Sequence, residues 1–310
     1  MMVEAGAHGG DGARIARRLG VPVESVLDLS QSLNPLAIDP RPILLKHLDA
    51  IGRYPDTAVP TQALASSMGV DPDRLLLTNG GAEAISLVAS LIGGSVHEPE
   101  FALHPRGNGP LWRSNPQNPL GLLADVDDEA AVWDEAFYPL ATGRWTRGDE
   151  GSIVVGSLTK LLACPGLRIG YVLADPTFIE ACRTRQPTWS LNGLACESLT
   201  ELLESVDLES WSRGVGNLRE ELRGVLTRHG LEPRPSQANW ILVDQPGLRE
   251  VLMDQLIVVR DCANFGLEGV ARIAVPGRDG IARLDRALDE SRESLERIRH
   301  EVRSVKSTDG

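Results

Sequence analysis

The chain has 310 residues, 42% of them apolar and 24% charged, which is enough for one large domain with its own core and a smaller one. Its 31 lysines and arginines against 43 acidic residues give a formal net charge of −12, which disfavours nucleic-acid and anionic-membrane partners but leaves room for small anions held by local arginines. No apolar run reaches the roughly eighteen residues that a membrane span needs and the N-terminal segment has no signal-like core, so the expected setting is cytoplasmic.

In chain order, the pattern predicts a helix over Asp11–Leu19 and an extended Val26–Leu29, then an irregular arm marked by Pro35, Pro40 and Pro42. Thr61–Met68 has a helical pattern. Arg74–Leu77 reads as a strand running into Gly80-Gly81, with a helix over Glu83–Leu91. Ala131–Trp133 is an apolar segment that ends at Asp134-Glu135, and Ile153–Val155 and Arg168–Leu173 read as buried strands. Helices are expected over Phe178–Arg185, Leu194–Leu203 and Leu218–His229. Ala238–Val243, Leu256–Val259 and Arg272–Val275 are strand candidates, followed by an amphipathic helix over Gly280–Val302. Strands alternating with helices imply an α/β chain with a mainly parallel sheet, then a smaller α+β domain after a boundary near residue 180. That gives an N-terminal arm over 1–45, a large domain over 46–180 and a C-terminal domain over 181–310. Cys164, Cys182, Cys196 and Cys262 make no C-x-x-C pair, which argues against a metal or disulfide framework.

Four segments carry chemistry. Gly156-Ser157-Leu158-Thr159-Lys160 places a lysine after a buried strand and two hydroxyls, and Arg168 follows eight residues on. A lysine there can condense with an aldehyde, while Ser157, Thr159 and Arg168 suit a phosphate. Asp134 closes an apolar segment, where a buried carboxylate can hold a ring nitrogen protonated; on its own it would read as a helix cap. Ser114-Asn115-Pro116-Gln117-Asn118-Pro119 is a rigid turn with an amide able to bond a phenolic oxygen, or simply a proline-rich loop. Thr78-Asn79-Gly80-Gly81-Ala82-Glu83 opens a helix whose backbone amides can meet a phosphate, although most Gly-Gly pairs are only turns.

These motifs, in this order, resemble the fold-type I pyridoxal-phosphate enzymes, and among them the histidinol-phosphate aminotransferase-like branch. The chain is more closely similar to the threonine-phosphate decarboxylase group of cobalamin biosynthesis. That likeness rests on His8-Gly9-Gly10, the Leu27–Leu36 segment with Asp28, Ser30 and Asn34-Pro35, Arg53-Tyr54-Pro55-Asp56, and Val259-Arg260-Asp261-Cys262-Ala263-Asn264-Phe265. The resemblance implies pyridoxal 5'-phosphate as cofactor, with Lys160 as the catalytic lysine that carries it. It implies Asp134 facing the pyridine nitrogen, Asn118 the phenolic oxygen, and Gly81, Ala82, Ser157, Thr159 and Arg168 the phosphate. His104 would stack on the ring. Tyr54 would reach the phosphate site of a second copy, making a homodimer with shared active sites. Arg272 would grip a substrate carboxylate; His8 and Arg260 are candidates for the phosphate of a phosphorylated amino acid, against a histidine of an unstructured arm and a structural salt bridge respectively, and Asn34 is a further substrate-binding candidate. No metal is implied.

The expected reaction is decarboxylation of L-threonine O-3-phosphate to (R)-1-amino-2-propanol phosphate. The alternatives are an aminotransferase acting on histidinol phosphate or a related amino acid, and a non-catalytic cofactor-binding homologue. Three departures from the pattern bear on that choice. Phe137 stands where the aminotransferases usually carry a tyrosine, a loss of one hydrogen bond worth about 1 kcal/mol. His104 replaces the usual stacking aromatic ring. Gly94–Asn115 has about half the length that the family gives to a strand, a helix and another strand, so the large domain is expected to lack one strand–helix unit.

Overall fold

The computed structural model describes residues 9–149 and 151–298. The elements run α1 (Gly12–Leu19), β1 (Leu27–Leu29), α2 (Arg41–Lys46), α3 (Ala58–Met68), β2 (Leu75–Asn79), α4 (Gly80–Ile92), β3 (Ser95–Val96), β4 (Leu111–Ser114) and β5 (Val132–Asp134). They continue with α5 (Tyr138–Thr142), β6 (Ile153–Ser157), α6 (Leu158–Leu161), β7 (Ile169–Leu173), α7 (Pro176–Arg185), α8 (Gly193–Glu204) and α9 (Leu208–Arg228). The last are β8 (Trp240–Asp244), α10 (Leu248–Met253), β9 (Ile257–Asp261), β10 (Val270–Ala274) and α11 (Arg278–Glu290). The expected final helix is thus interrupted at Ser291 and resumes over 292–298, and its residues 299–302 lie outside the described residues.

Two compact units divide the chain. A central unit takes Leu36–Asn118 and Leu122–Gly214; a terminal unit takes the described residues up to Pro35, Pro119–Gly121, and those from Val215 onward. The division therefore falls after Gly214, not near residue 180, because α7 packs on α4 and α8 packs on α3. The expected arm over 1–45 is divided as well. Residues through Pro35 go with the terminal unit, since β1 pairs with β9 and Leu29 sits in that unit's core.

In the central unit a six-stranded sheet has the order β2-β7-β6-β5-β4-β3. The β3–β4, β4–β5 and β5–β6 pairs are parallel; β7 runs antiparallel to both β6 and β2. The sheet is mixed with a parallel majority, as expected. Ala84, Ile85, Leu87 and Val88 of α4 bury against Trp112, Val132, Val155 and Val172 of the sheet. At about 25 cal/mol per Å² of apolar surface this contact stabilises the layer, and the helix ends at Gly93, whose φ of +64° favours glycine. Between β3 and β4, residues 97–110 form no helix and no strand. The reduced segment is real, and β3 is only two residues long.

The terminal unit has a four-stranded sheet, β1-β9-β10-β8, covered by α9 and α11 through Leu218, Leu222, Leu226, Ile281, Leu284 and Leu288. The sequence pattern started α9 at Leu218 because Gly214 and Gly216 interrupt it. Gly214 is required where it stands: a Cβ there would collide with Leu36.

Asp134 and its neighbour Glu135 lie on opposite sides of the β5 end. Glu135 is fully buried; its Oε1 accepts from the Arg147 amide at 2.9 Å, and its Oε2 has no hydrogen-bond partner among the described residues. Burial raises its pKa from 4.5 to about 7. Between those values the folded chain holds a proton that the unfolded chain has released, so stability falls as pH rises through the window. Glu135→Gln removes that dependence. Its Tm is expected to exceed that of the wild type by several degrees at pH 8 and to differ little at pH 5, an effect of order 1–3 kcal/mol, measured by thermal denaturation at the two pH values.

Candidate active site

Because β4, β5 and β6 are parallel, their C-terminal ends leave the sheet at one edge, with Ser114 beside Asp134 and Asp134 beside Val155. Asp134 and Ser157 are the last residues of β5 and β6, and Asn115–Asn118 and Leu158–Lys160 follow the ends of β4 and β6 directly. β2 ends at the same edge, since it runs antiparallel to β7, itself antiparallel to β6.

At this edge Gly80 (φ +74°) and Gly81 open the 13-residue helix α4. Gly170 on β7 lies directly against them, and a Cβ at 170 would collide with the Gly80–Gly81 peptide. A Cβ on Gly80 would likewise collide with the Arg168 guanidinium, and one on Gly81 would lie 3.4 Å from the Ser157 side chain. The first amides of a long helix, an arginine and a serine therefore line one spot that only missing side chains keep open. Arg168 itself is held at φ +54°, a conformation that costs a non-glycine residue about 1 kcal/mol or more. Thr159 differs from the other phosphate candidates: it is buried and its hydroxyl donates to the Ile169 carbonyl at 3.5 Å. Ala82 lies exposed in the first turn of α4.

Lys160 sits in α6, one turn beyond β6, and is partly exposed. Asn118 is buried, and its backbone N–H donates to Ser114 Oγ at 2.7 Å. Asp134 is buried; Oδ1 accepts from the Ala136 amide at 3.0 Å and Oδ2 lies 2.9 Å from His104 Nε2. That contact corrects the stacking role expected for His104. Its side chain is 0% exposed, enclosed by Phe101 and Trp112, so it has no open face with which to cover a ring. His104 stands behind Asp134 instead. Phe101 is the aromatic ring of this loop that keeps solvent contact.

Tyr54 is 77% exposed and stacks on Trp189 with centroids 4.3 Å apart. His8 lies outside the described residues. The His8-Gly9-Gly10 motif nonetheless has a local explanation, since a Cβ on Gly9 would strike the Ser30 carbonyl and the Gly10 amide donates to Ser30 Oγ at 2.8 Å.

In the terminal unit Arg260 on β9 and Arg272 on β10 are direct cross-strand partners. They are 4% and 7% exposed. Burial lowers both from the usual guanidinium value, Arg272 to about 10. Arg272 lies over Trp240 at 4.9 Å and Arg260 over Phe265 at 5.4 Å, and Arg260 Nη2 donates to Asn264 at 3.3 Å. Asn34 is buried in the same unit. Sequence reasoning missed Glu100, Arg106 and Ser114, which organise the Asp134 side, and Asn239, whose Nδ2 donates to the Ser32 carbonyl at 2.8 Å. Only an acid immediately before the aromatic ring in Glu100-Phe101 hinted at the first.

A lysine, a buried carboxylate, a buried asparagine and a glycine-lined anion cradle at one sheet edge suit pyridoxal phosphate. The chain is an α/β enzyme of the pyridoxal-phosphate-dependent class. Residues 108–289 match the family model "Aminotransferase class I and II", and the chain belongs to that family. It is 26% identical to histidinol-phosphate aminotransferase 1 of Dechloromonas aromatica, over 89% of this chain and 93% of that one. It is 28% identical to threonine-phosphate decarboxylase of Salmonella typhimurium, over 84% and 88%. The fold matches histidinol-phosphate aminotransferase from Sinorhizobium meliloti, solved in complex with pyridoxal-5'-phosphate, with a TM-score of 0.77 at 17% identity, covering 95% of this chain and 96% of that one.

Gly80→Ala tests the cradle. The added methyl is strained at positive φ and displaces the Arg168 guanidinium, so cofactor affinity is expected to fall at least tenfold, about 1.4 kcal/mol or more, with the circular dichroism spectrum unchanged. Titration of cofactor-free protein with pyridoxal phosphate measures it.

Proposed function

We propose that this protein decarboxylates L-threonine O-3-phosphate to (R)-1-amino-2-propanol phosphate. The observation that carries the reading is the buried, directly opposed pair Arg260–Arg272. Two guanidinium groups side by side offer a ligand with two acidic groups a separate bidentate, charge-assisted contact for each. A phosphorylated amino acid with a free carboxylate has those two groups. Arg272 would hold the carboxylate and Arg260 the phosphate, with His8 a further candidate for the phosphate and Asn34 for the substrate.

When bound, pyridoxal phosphate supplies a ring that accepts the electron pair left as a bond to the substrate α-carbon breaks. Lys160 would hold the cofactor and deliver a proton from Nζ to the α-carbon after carbon dioxide departs. Asp134 would keep the pyridine nitrogen protonated, Asn118 would bond the phenolic oxygen, and Gly81, Ala82, Ser157 and Arg168 would bind the phosphate. A cytoplasmic setting fits the four buried free thiols.

Transamination is the second reading, favoured by the match to histidinol-phosphate aminotransferases. Incubation with L-threonine O-3-phosphate separates the two. Carbon dioxide release without a keto acid is the expected outcome; glutamate formation that depends on 2-oxoglutarate would transfer the assignment to an aminotransferase. Cofactor absorbance that vanishes in Lys160→Ala, with no turnover of any amino acid in the wild type, would mean a non-catalytic homologue. Arg260→Gln and Arg272→Gln are each expected to lower kcat/KM by about 100-fold, or ~3 kcal/mol, with the circular dichroism spectrum unchanged.

The same reading includes a homodimer with shared sites. Ile51, Tyr54, Val59 and Trp189 are large apolar side chains exposed on the central unit, as a surface covered by a second copy would be. If Tyr54 serves the partner's site, mixing inactive Lys160→Ala and Tyr54→Ala chains regenerates one intact site in each mixed dimer. Recovery of about a quarter of wild-type activity is expected for random two-fold pairing, and no recovery would place Tyr54 in its own subunit's site.

A further inference from the structure

The loop over 97–110, where the family pattern has a strand–helix unit, is organised by one side chain. Arg106 pairs with Glu98 through Nε at 2.7 Å. Its Nη1 donates to the carbonyls of Phe101, Ala102 and His104 at 3.1, 3.2 and 2.8 Å, and its Nη2 to the Glu100 carbonyl at 3.0 Å. A guanidinium with five donors thereby satisfies backbone carbonyls that a helix would otherwise satisfy internally.

Folded this way, the loop buries two ionisable groups beside Asp134. The Glu100 carboxylate accepts from the Ser114 amide at 2.9 Å, from Ser114 Oγ, and from the Phe101 amide at 2.7 Å. His104 Nε2 lies 2.9 Å from Asp134 Oδ2. On the other edge of the ring, His104 Nδ1 lies 3.7 Å from Glu100 Oε1 and has no hydrogen-bond partner among the described residues. The charged groups around the imidazole are Glu98, Glu100 and Arg106 of its own loop and Asp134 of β5; the remaining walls described are the Phe101 and Trp112 rings. Two bare acceptors facing each other in a buried gap would repel, so the gap between Nδ1 and Glu100 must hold one proton.

We propose that Glu100 and His104 are positioning residues for Asp134: Glu100 retains a proton on His104 Nδ1, and the His104 Nε2–H group holds the Asp134 carboxylate in place and ionised. The proton balance is simple. With the proton on Nδ1, the trio is carboxylate, imidazolium, carboxylate; with the proton moved to Glu100 Oε1, it is carboxylic acid, imidazole, carboxylate. The net charge is minus one in both cases. Moving one proton by one gap therefore changes how strongly Asp134 attracts a proton without charging the pocket. Burial pushes the Glu100 carboxyl up from its ordinary value, against the opposing pull of His104 and the Ser114 and Phe101 donors. The consequence for the cofactor rests on the reading of Asp134 as the group facing the pyridine nitrogen, whereas the relay itself belongs to the cofactor-free chain.

The test starts without cofactor. In protein carrying 15N-labelled histidine, the His104 resonances are those lost in His104→Gln. The wild type is expected to show both ring N–H signals of His104, and Glu100→Gln is expected to lose the one on Nδ1. Identical His104 spectra in the two proteins would overturn the relay. If Glu100→Gln does not fold, Ser114→Ala serves: with one donor fewer, Glu100 draws the proton away from Nδ1, and an unchanged His104 spectrum would again overturn it. In the cofactor-loaded protein, His104→Gln keeps an amide donor for Asp134 and removes the relay. The pH profile of the cofactor absorbance should then shift with the band still present, and an unshifted profile would remove the link to the cofactor. Absence of the band from wild-type protein would instead sink the assignment of Lys160 and Asp134, while the histidine spectrum would still decide the relay.

Discussion

The parallel register of β4, β5 and β6 is the constraint on which the site depends. It sets Ser114, Asp134 and Val155 abreast, so the segments that follow them leave the sheet together. Strand side chains alternate between faces, and β5 ends in two adjacent carboxyl groups, Asp134 and Glu135. A slip of one residue would exchange them. Asp134 would lose His104, and Glu135 would lose the Arg147 amide and its enclosed setting. The buried partners on each side, Trp112 and Val132 against α4 among them, are what make such a slip costly.

Glycine does the corresponding work beside Arg168. Gly170 and Gly80 are required for different reasons: one because the Gly80–Gly81 backbone rests on it, the other because Arg168 fills the space beside it at a positive φ. The cradle is thus an absence of side chains held open by the β2–β7–β6 register. An anion placed there would meet a helix N-terminus and a guanidinium whose own backbone strain is maintained by the surrounding packing.

The sequence makes this half of the site readable because its chemistry is local. Lys160, Ser157 and Arg168 lie within one strand–loop–strand segment, and Gly80-Gly81 marks its own helix. Asp134 is legible as a carboxylate ending an apolar run. What could not be read depends on tertiary position. Glu100 and Arg106 are ordinary surface residue types until Ser114 and four backbone carbonyls converge on them. The stacking role for His104 followed from position in a motif; burial of the ring decides otherwise. The unit boundary was misplaced for a similar reason. The pattern shows where helices change to strands, but not that α7 and α8 pack on the first sheet's helices or that β1 is recruited to β9. The opposition of Arg260 and Arg272 likewise requires the β9–β10 register, which no local pattern contains.

The shortened loop also bears on whether the departures from the family pattern reflect decay. Loss of a strand–helix unit exposes backbone groups and removes apolar cover, and a site drifting without selection would be left with buried polar atoms unmatched, at about 1–3 kcal/mol each. Residues 97–110 show the opposite for most of their polar groups. Arg106 satisfies four carbonyls, Glu100 accepts three hydrogen bonds, and the Trp112 indole donates to the Gly93 carbonyl at 3.0 Å. The exception is His104 Nδ1, aimed at a second buried carboxyl group beside Asp134. A single unsatisfied atom in an otherwise matched network, next to Asp134, is better explained as a place for a mobile proton than as residue of a lost element.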